Sequence, residues 1–238
     1  MRTAHAPIAG LVMLLAACPE PEQQVETKSA AEHGEFLFND PSVSPAPGNK
    51  VSCADCHSVA EPRSGDSGAP LGGVVLRTSL WGAQRDRLLD AINDCRYYFM
   101  LASDSWSGEE AEARALYAYL ETLPGSADAM PFTIGALADP GLGDATRGEP
   151  VYDAACARCH GARDTGIGAL EPAAPVLPGE WLADHPPDQY TDVERRLVFV
   201  EKTRHGTFLG YGGRMPPFSL EVLSDSQLAD LMAYMRLP

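Results

Sequence analysis

Between residues 85 and 101, Leu88, Leu89, Ile92, Cys95 and Phe99 recur at spacings of three and four. That period puts them on one face of a helix. Residues 30–38 form a shorter candidate helix, with Phe36, Leu37 and Phe38 inward. Ser107-Gly108-Glu109-Glu110 has the form of a capping box and opens a helix through Leu116, Tyr117, Tyr119, Leu120 and Leu123, stopped by Pro124-Gly125. The second half repeats the plan. A short helix is expected over 147–155 with Val151 and Tyr152 apolar, and another over 192–204 through Val193, Leu197, Val198 and Val200. A terminal helix starts at the capping box Ser224-Asp225-Ser226-Gln227 and carries Leu228, Leu231, Met232, Tyr234 and Met235.

The pattern is mostly α, with no run of alternating strand positions. Each half has a short helix, a Cys-x-x-Cys-His stretch, an irregular Gly/Pro-rich stretch and then helices. Leu116-Tyr117-Ala118-Tyr119-Leu120 and Leu231-Met232-Ala233-Tyr234-Met235 read as copies of one helix ending. The expected organisation is a leader over 1–17, a tether over 18–28, a first domain over 29–124, a linker over 125–146 rich in Pro, Gly, Ala and Asp, and a second domain over 147–238. At 238 residues the length suits two small domains.

The start of the chain is read as targeting rather than fold. Met1-Arg2 precedes an apolar run from Ile8 to Ala17 that is too short for a mature membrane helix. The run ends Leu15-Ala16-Ala17-Cys18 and resembles a bacterial lipobox, which implies cleavage before Cys18 and a lipid on its sulfur. The alternative is an ordinary signal peptide cut at small residues nearby. With a lipid, the protein is expected in the periplasm, anchored to a bacterial membrane, with residues 19–28 as a polar, proline-containing tether. The formal net charge of −15 disfavours nucleic acid, whose binding needs a basic footprint. It suits a basic redox partner, although a solvated acidic surface reads the same way.

The chemistry lies in Cys53-Ala54-Asp55-Cys56-His57 and Cys156-Ala157-Arg158-Cys159-His160. Two thiols one turn apart can add to the two vinyl groups of one haem, and the adjacent imidazole can then reach the iron. A lone copy could equally be a zinc or thiol redox motif. Two copies, each after a helix in an exported chain, predict two covalently bound haem c groups on Cys53, Cys56 and His57 and on Cys156, Cys159 and His160. The motif histidines are 103 residues apart, as expected for two units in tandem.

The sixth iron position is less determined. In the second unit Met215, in Gly212-Gly213-Arg214-Met215-Pro216-Pro217-Phe218, is the candidate, with His205 the rival. A thioether ligand raises the reduction potential. In the first unit Cys95 and Met100 lie on one helix, five residues and so about 140° apart, and only one can face the iron comfortably. With Cys18 lipidated and two pairs on haem, Cys95 is the cysteine left over, and it lies on the apolar face. Cys95 is preferred, with Met100 the alternative. Arg77, Arg85, Arg87, Arg96 and Arg214 are candidate partners for propionates or a small anion. Trp81, Trp106 and Trp181 are read as packing.

Residues 147–238 resemble a class I cytochrome c domain, on Gly148, Val151-Tyr152, the stretch Cys156 to Gly161, Met215-Pro216 and the closing helix. The first unit resembles the cytochrome c domain of thiosulfate dehydrogenases and of the A subunit of the bacterial sulfur-oxidising system. It shares Ile92, Asn93 and Cys95 with a helix that there gives a thiolate to the haem. It departs from that pattern at Arg96-Tyr97-Tyr98-Phe99, which is bulky where small residues are expected beside a thiosulfate site. The function expected is a membrane-tethered dihaem relay passing electrons from a His/Cys haem to a His/Met haem. The alternative is thiosulfate dehydrogenase or tetrathionate reductase chemistry at the first haem, which would use Cys95 and Arg96.

Overall fold

The computed structural model describes residues 29–210 and 212–237. The leader, Cys18 and the tether lie outside the described residues. Among the described residues the eight α-helices are α1 Ala30–Asn39, α2 Leu88–Phe99, α3 Ala111–Thr122, α4 Ala145–Ala155, α5 Ala157–His160, α6 Gly179–Asp184, α7 Asp192–His205 and α8 Asp225–Tyr234. Short 3₁₀ turns intervene at Pro41–Val43, Cys53–Asp55 and Val74–Leu76. The β-type pairing among the described residues is one isolated bridge, Leu80 to Arg85. The fold is mostly α. No helix among the described residues is long and apolar enough to cross a membrane.

Two hydrophobic cores divide the chain. The first gathers Leu37, Phe38, Val43, Leu89, Phe99, Met100, Trp106, Leu116 and Leu120. The second gathers Tyr152, Trp181, Phe199, Val200, Phe218, Leu228, Leu231, Met232 and Met235. Both are built on the same crossing, α1 on α3 in one and α4 on α8 in the other. At each crossing a glycine lets two backbones touch. A Cβ on Gly34 would collide with the Ala115 carbonyl and stand 2.7 Å from the Tyr119 Cβ. A Cβ on Gly148 would collide with the Asp230 carbonyl and stand 2.7 Å from the Tyr234 Cβ. Beside the glycines the rings repeat, Phe38 against Tyr119 at 5.4 Å and Tyr152 against Tyr234 at 5.7 Å. The resemblance of the two helix endings in sequence is thus a resemblance of contacts.

Local chemistry sets the helix starts. Ser29, Thr191 and Ser224 close capping boxes with Glu32, Glu194 and Gln227. The box expected at Ser107 forms differently. The Glu110 carboxylate turns back onto the Ser107 and Gly108 amides, and Glu110 becomes the N-cap of α3. Phe36, expected inward, is exposed. Leu37 and Phe38 take the buried face of α1, and a residue one position back points about 100° away from Leu37.

The units also meet each other. Phe208 and Leu170 of the second half pack against the first core. Phe208 stacks on Trp81 at 4.1 Å, with Tyr98 edge-on at 5.5 Å and Arg85 5.9 Å above its ring. The connecting segment is tied to the second unit by the Leu220 amide donating to the Thr133 carbonyl at 2.8 Å, and by the Thr133 amide donating to the Glu221 carboxylate at 3.0 Å.

Candidate haem sites

The two Cys-x-x-Cys-His stretches share the hydrogen bonds of one turn, as a 3₁₀ turn over Cys53–Asp55 in the first and the start of α5 in the second. In the first, the amides of Cys56 and His57 donate to the Cys53 carbonyl at 3.2 and 3.0 Å. In the second, those of Cys159 and His160 donate to the Cys156 carbonyl at 3.1 and 2.9 Å. One turn of helix therefore separates the thiols of each pair. All five cysteines among the described residues are free thiols, so neither pair is a disulfide. Among the described residues no group of three or more His, Cys, Asp or Glu side chains converges to hold a metal ion, as a thiolate zinc site would require.

The imidazoles also match. His57 Nδ1 lies 2.7 Å from the Ala69 carbonyl oxygen and His160 Nδ1 lies 2.9 Å from that of Pro175. A carbonyl can only accept, so each Nδ1 carries the proton and each Nε2 keeps its lone pair. This is the tautomer an iron ligand needs, with the second hydrogen bond that orients it. Burial lowers the pKa of both rings and keeps them neutral. Gly68 is required beside the first ring, because a Cβ there would stand 2.7 Å from His57 Nε2.

In the first unit these groups open onto a cavity of about 480 Å³. Its wall includes Cys53, Cys56 and His57, and both candidate sixth ligands, Cys95 and Met100. Burial pushes Cys53 up to about 12 and Cys95 well above the ordinary thiol range, with Cys53 and Cys56 adding to the rise at Cys95. Burial therefore keeps Cys95 a neutral thiol. A largely apolar cavity with two thiols, a poised imidazole and the sulfurs of Cys95 and Met100 on its wall fits a covalent haem. The wall also takes Met130, Pro131 and Phe132 from the connecting segment and Pro216, Ser219 and Val222 from the second unit.

The candidate arginines separate by partner. Arg96 is fully buried but committed. It donates to the Val43 carbonyl at 3.2 Å and to Asp104 at 3.1 Å, and lies 4.1 Å over the Trp106 ring. Arg85 pairs with Asp94 at 2.6 Å. Arg77 is the one the sequence did not single out from its neighbours. It is buried on the cavity wall, donates to the Pro70 and Gly72 carbonyls at 2.9 and 2.7 Å, and its Nε finds no partner among the described residues.

In the second unit Met215 packs half-buried against the core. Its loop is held on three sides. Arg214 pairs with Glu171 at 2.7 Å, and the Glu171 amide donates to the Cys159 carbonyl at 3.4 Å. The Thr207 amide donates to the Met215 carbonyl at 2.9 Å. Lys202 donates to the Gly212 carbonyl, and its charge is felt at His160. The loop is thereby tied to the motif's own backbone. His205 sits at the end of α7, 3.5 Å from Glu201. Burial pushes Cys156 up to about 12 and Cys159 up to about 11, and Cys56 and Asp55 of the first unit add to the rise at Cys159.

The second unit combines a helix crossing at Gly148 with a Cys-x-x-Cys-His turn whose imidazole is held by the Pro175 carbonyl. Residues 143–235 match the family model described as Cytochrome C oxidase, cbb3-type, subunit III. A cytochrome c domain of this kind binds haem c covalently and transfers electrons to and from redox partners. Among solved structures, one that aligns is thiosulfate dehydrogenase (TsdBA) from Marichromatium purpuratum in its as-isolated form, at 21% identity and a TM-score of 0.43. The alignment covers 90% of this chain and 48% of that one, so the chain spans about half the length of that structure. No curated protein matches the chain.

Proposed function

We propose that this chain is a dihaem c-type cytochrome that carries electrons outside the cytoplasm, with one haem on Cys53, Cys56 and His57 and one on Cys156, Cys159 and His160. The observation that carries the reading is the repeated imidazole. His57 and His160 each give Nδ1–H to a backbone carbonyl and keep Nε2 free, although only the second lies in the stretch matched by the family model. Met215 is assigned as the sixth ligand of the second haem, supported by the three ties on its loop. Cys95 is assigned in the first, with Met100 as the alternative on the same wall. A thiolate ligand on one haem and a thioether on the other supply two different reduction potentials, the first lower, which sets the direction from haem 1 to haem 2. The protein's own part is to fix the imidazole tautomers, exclude water and hold the sulfur ligands in place. Cys18 is assigned as a lipid anchor, placing the carrier on a bacterial membrane in the periplasm, and the acidic surface suits a basic redox partner.

The thiosulfate reading takes Arg96 as the cationic group beside Cys95. The Arg96 guanidinium is instead spent on Val43, Asp104 and Trp106. Electron transfer is therefore the better supported function.

Two measurements test the proposal. Pyridine haemochrome analysis is expected to give two haems per chain. Low-temperature EPR of the oxidised protein is expected to show a thiolate-type low-spin signal that disappears in Cys95→Ala. A single haem per chain overturns the dihaem reading, and an unchanged spectrum moves the first sixth ligand to Met100. Turnover of thiosulfate with an artificial electron acceptor would overturn the choice of carrier over enzyme.

A further inference from the structure

The residue before the second cysteine is Asp55 in one motif and Arg158 in the other, and these two side chains form an ion pair across the two units. The carboxylate is held ready for this. Asp55 is nine-tenths buried, and its Oδ2 accepts from the Ser52 amide at 2.6 Å and the Ser52 hydroxyl at 2.9 Å, leaving Oδ1 to Arg158. The Arg158 backbone is fixed as well, its carbonyl accepting from the Leu170 amide at 2.9 Å, and Leu170 packs on the first core.

A second contact joins the same two turns. Arg63 donates to the Ala54 carbonyl at 2.8 Å and the His57 carbonyl at 3.1 Å, and pairs with Asp66 at 2.9 Å. This holds the loop 63–66 onto the first motif. The loop's Gly65, at φ +81°, lies directly on the backbone of Ala154 and Ala155, the residues leading into Cys156. A side chain there would collide with Ala154. The two attachment turns therefore touch through Asp55–Arg158, and the loop held on the first meets the helix leading into the second at Gly65–Ala154.

We propose that these contacts form a clamp that fixes the separation of the two haem attachment sites, with Asp55 and Arg158 as positioning residues for internal electron transfer. The inference rests on the dihaem reading and goes beyond it, because two haem sites in one chain need not be locked together. An isolated exposed ion pair would hold little, since long side chains lose entropy and water screens the charges. Here one partner is buried and pre-oriented, and a glycine contact beside it removes the freedom to slide.

Arg158→Ala, Arg158→Lys and Gly65→Ala test the clamp in the full holoprotein. Arg158 is half-exposed, so its truncation leaves both cores intact. The readouts are haem count, the two midpoint potentials, magnetic interaction between the ferric centres in EPR, and the rate of internal transfer after flash photoreduction. Arg158→Ala and Gly65→Ala are expected to keep two haems, weaken the magnetic interaction and slow internal transfer roughly tenfold, because reactive geometry is steeply sensitive to small displacements. Arg158→Lys, which keeps the charge, is expected to restore much of the rate. A purely structural role would lower the unfolding midpoint and leave the rate alone. Two haems with an unchanged rate and unchanged magnetic interaction in Arg158→Ala overturn the clamp alone. One haem per chain in the parent protein overturns the dihaem reading and the clamp with it.

Discussion

Gly148 lies directly against the carbonyl of Asp230, and this contact closes α4 onto α8. Its counterpart in the first unit is Gly34 against Ala115, which closes α1 onto α3. Helix propensity alone makes a mid-helix glycine unfavourable by roughly 0.5–1 kcal/mol relative to alanine. The close approach reverses that preference. Gly148→Ala and Gly34→Ala are each expected to destabilise their own unit, by about 1–3 kcal/mol as for other overpacked sites. Denaturant unfolding of each variant measures it, and a gain in stability would mean the crossing is looser than described.

Arg77 tests the first cavity. Its guanidinium satisfies the Pro70 and Gly72 carbonyls from a buried position, and it is close enough to His57 for its charge to be felt there. Arg77→Met is expected to cost about 1–3 kcal/mol, the penalty of leaving buried acceptors unpartnered. On the dihaem reading proposed above, removing a buried positive charge is also expected to make the first potential more negative and leave the second unmoved. Chemical denaturation and a redox titration read the two effects separately.

Met215→His tests the second site. Exchanging thioether for imidazole is expected to lower the second potential on the order of 0.1 V, a fraction of the ~0.8 V range that axial ligands span. The first potential should stay where it is. A titration in which the higher potential does not move would point to another ligand.

Glu110 gives an acid-side prediction. Hydrogen bonds from the Ser107 amide, and from other donors of that turn, lower its carboxyl to about 2 from an ordinary value near 4.5. The unfolded chain therefore binds a proton before the folded one does, and stability falls as pH drops through that window. The contribution is present above pH 4.5 and lost towards pH 2. Glu110→Gln is expected to show a flatter loss of stability between those values, followed by thermal melts at stepped pH.

The helices were legible because their signals are local. Apolar spacing of three and four, and the capping box at Ser224, act within one or two turns of chain. The Cys-x-x-Cys-His stretches were visible for the same reason, since two thiols and an imidazole fall within five residues. The short helices α5 and α6 were not predicted, because four and six residues carry too little periodicity to stand out.

What the tertiary structure decided is everything that depends on residues far apart in the chain. It brought Cys95 and Met100 to the cavity that Cys53, Cys56 and His57 line, committed Arg96 to the Val43 carbonyl, and left Arg77 facing the cavity. In sequence these arginines look alike, because a guanidinium's role is set by which carbonyls and carboxylates the fold places around it. It also joined Asp55 to Arg158. The opposite charges stood at equivalent places in the two motifs all along. A charge carries no range or direction in one dimension, and only the packing of one unit on the other made the pair.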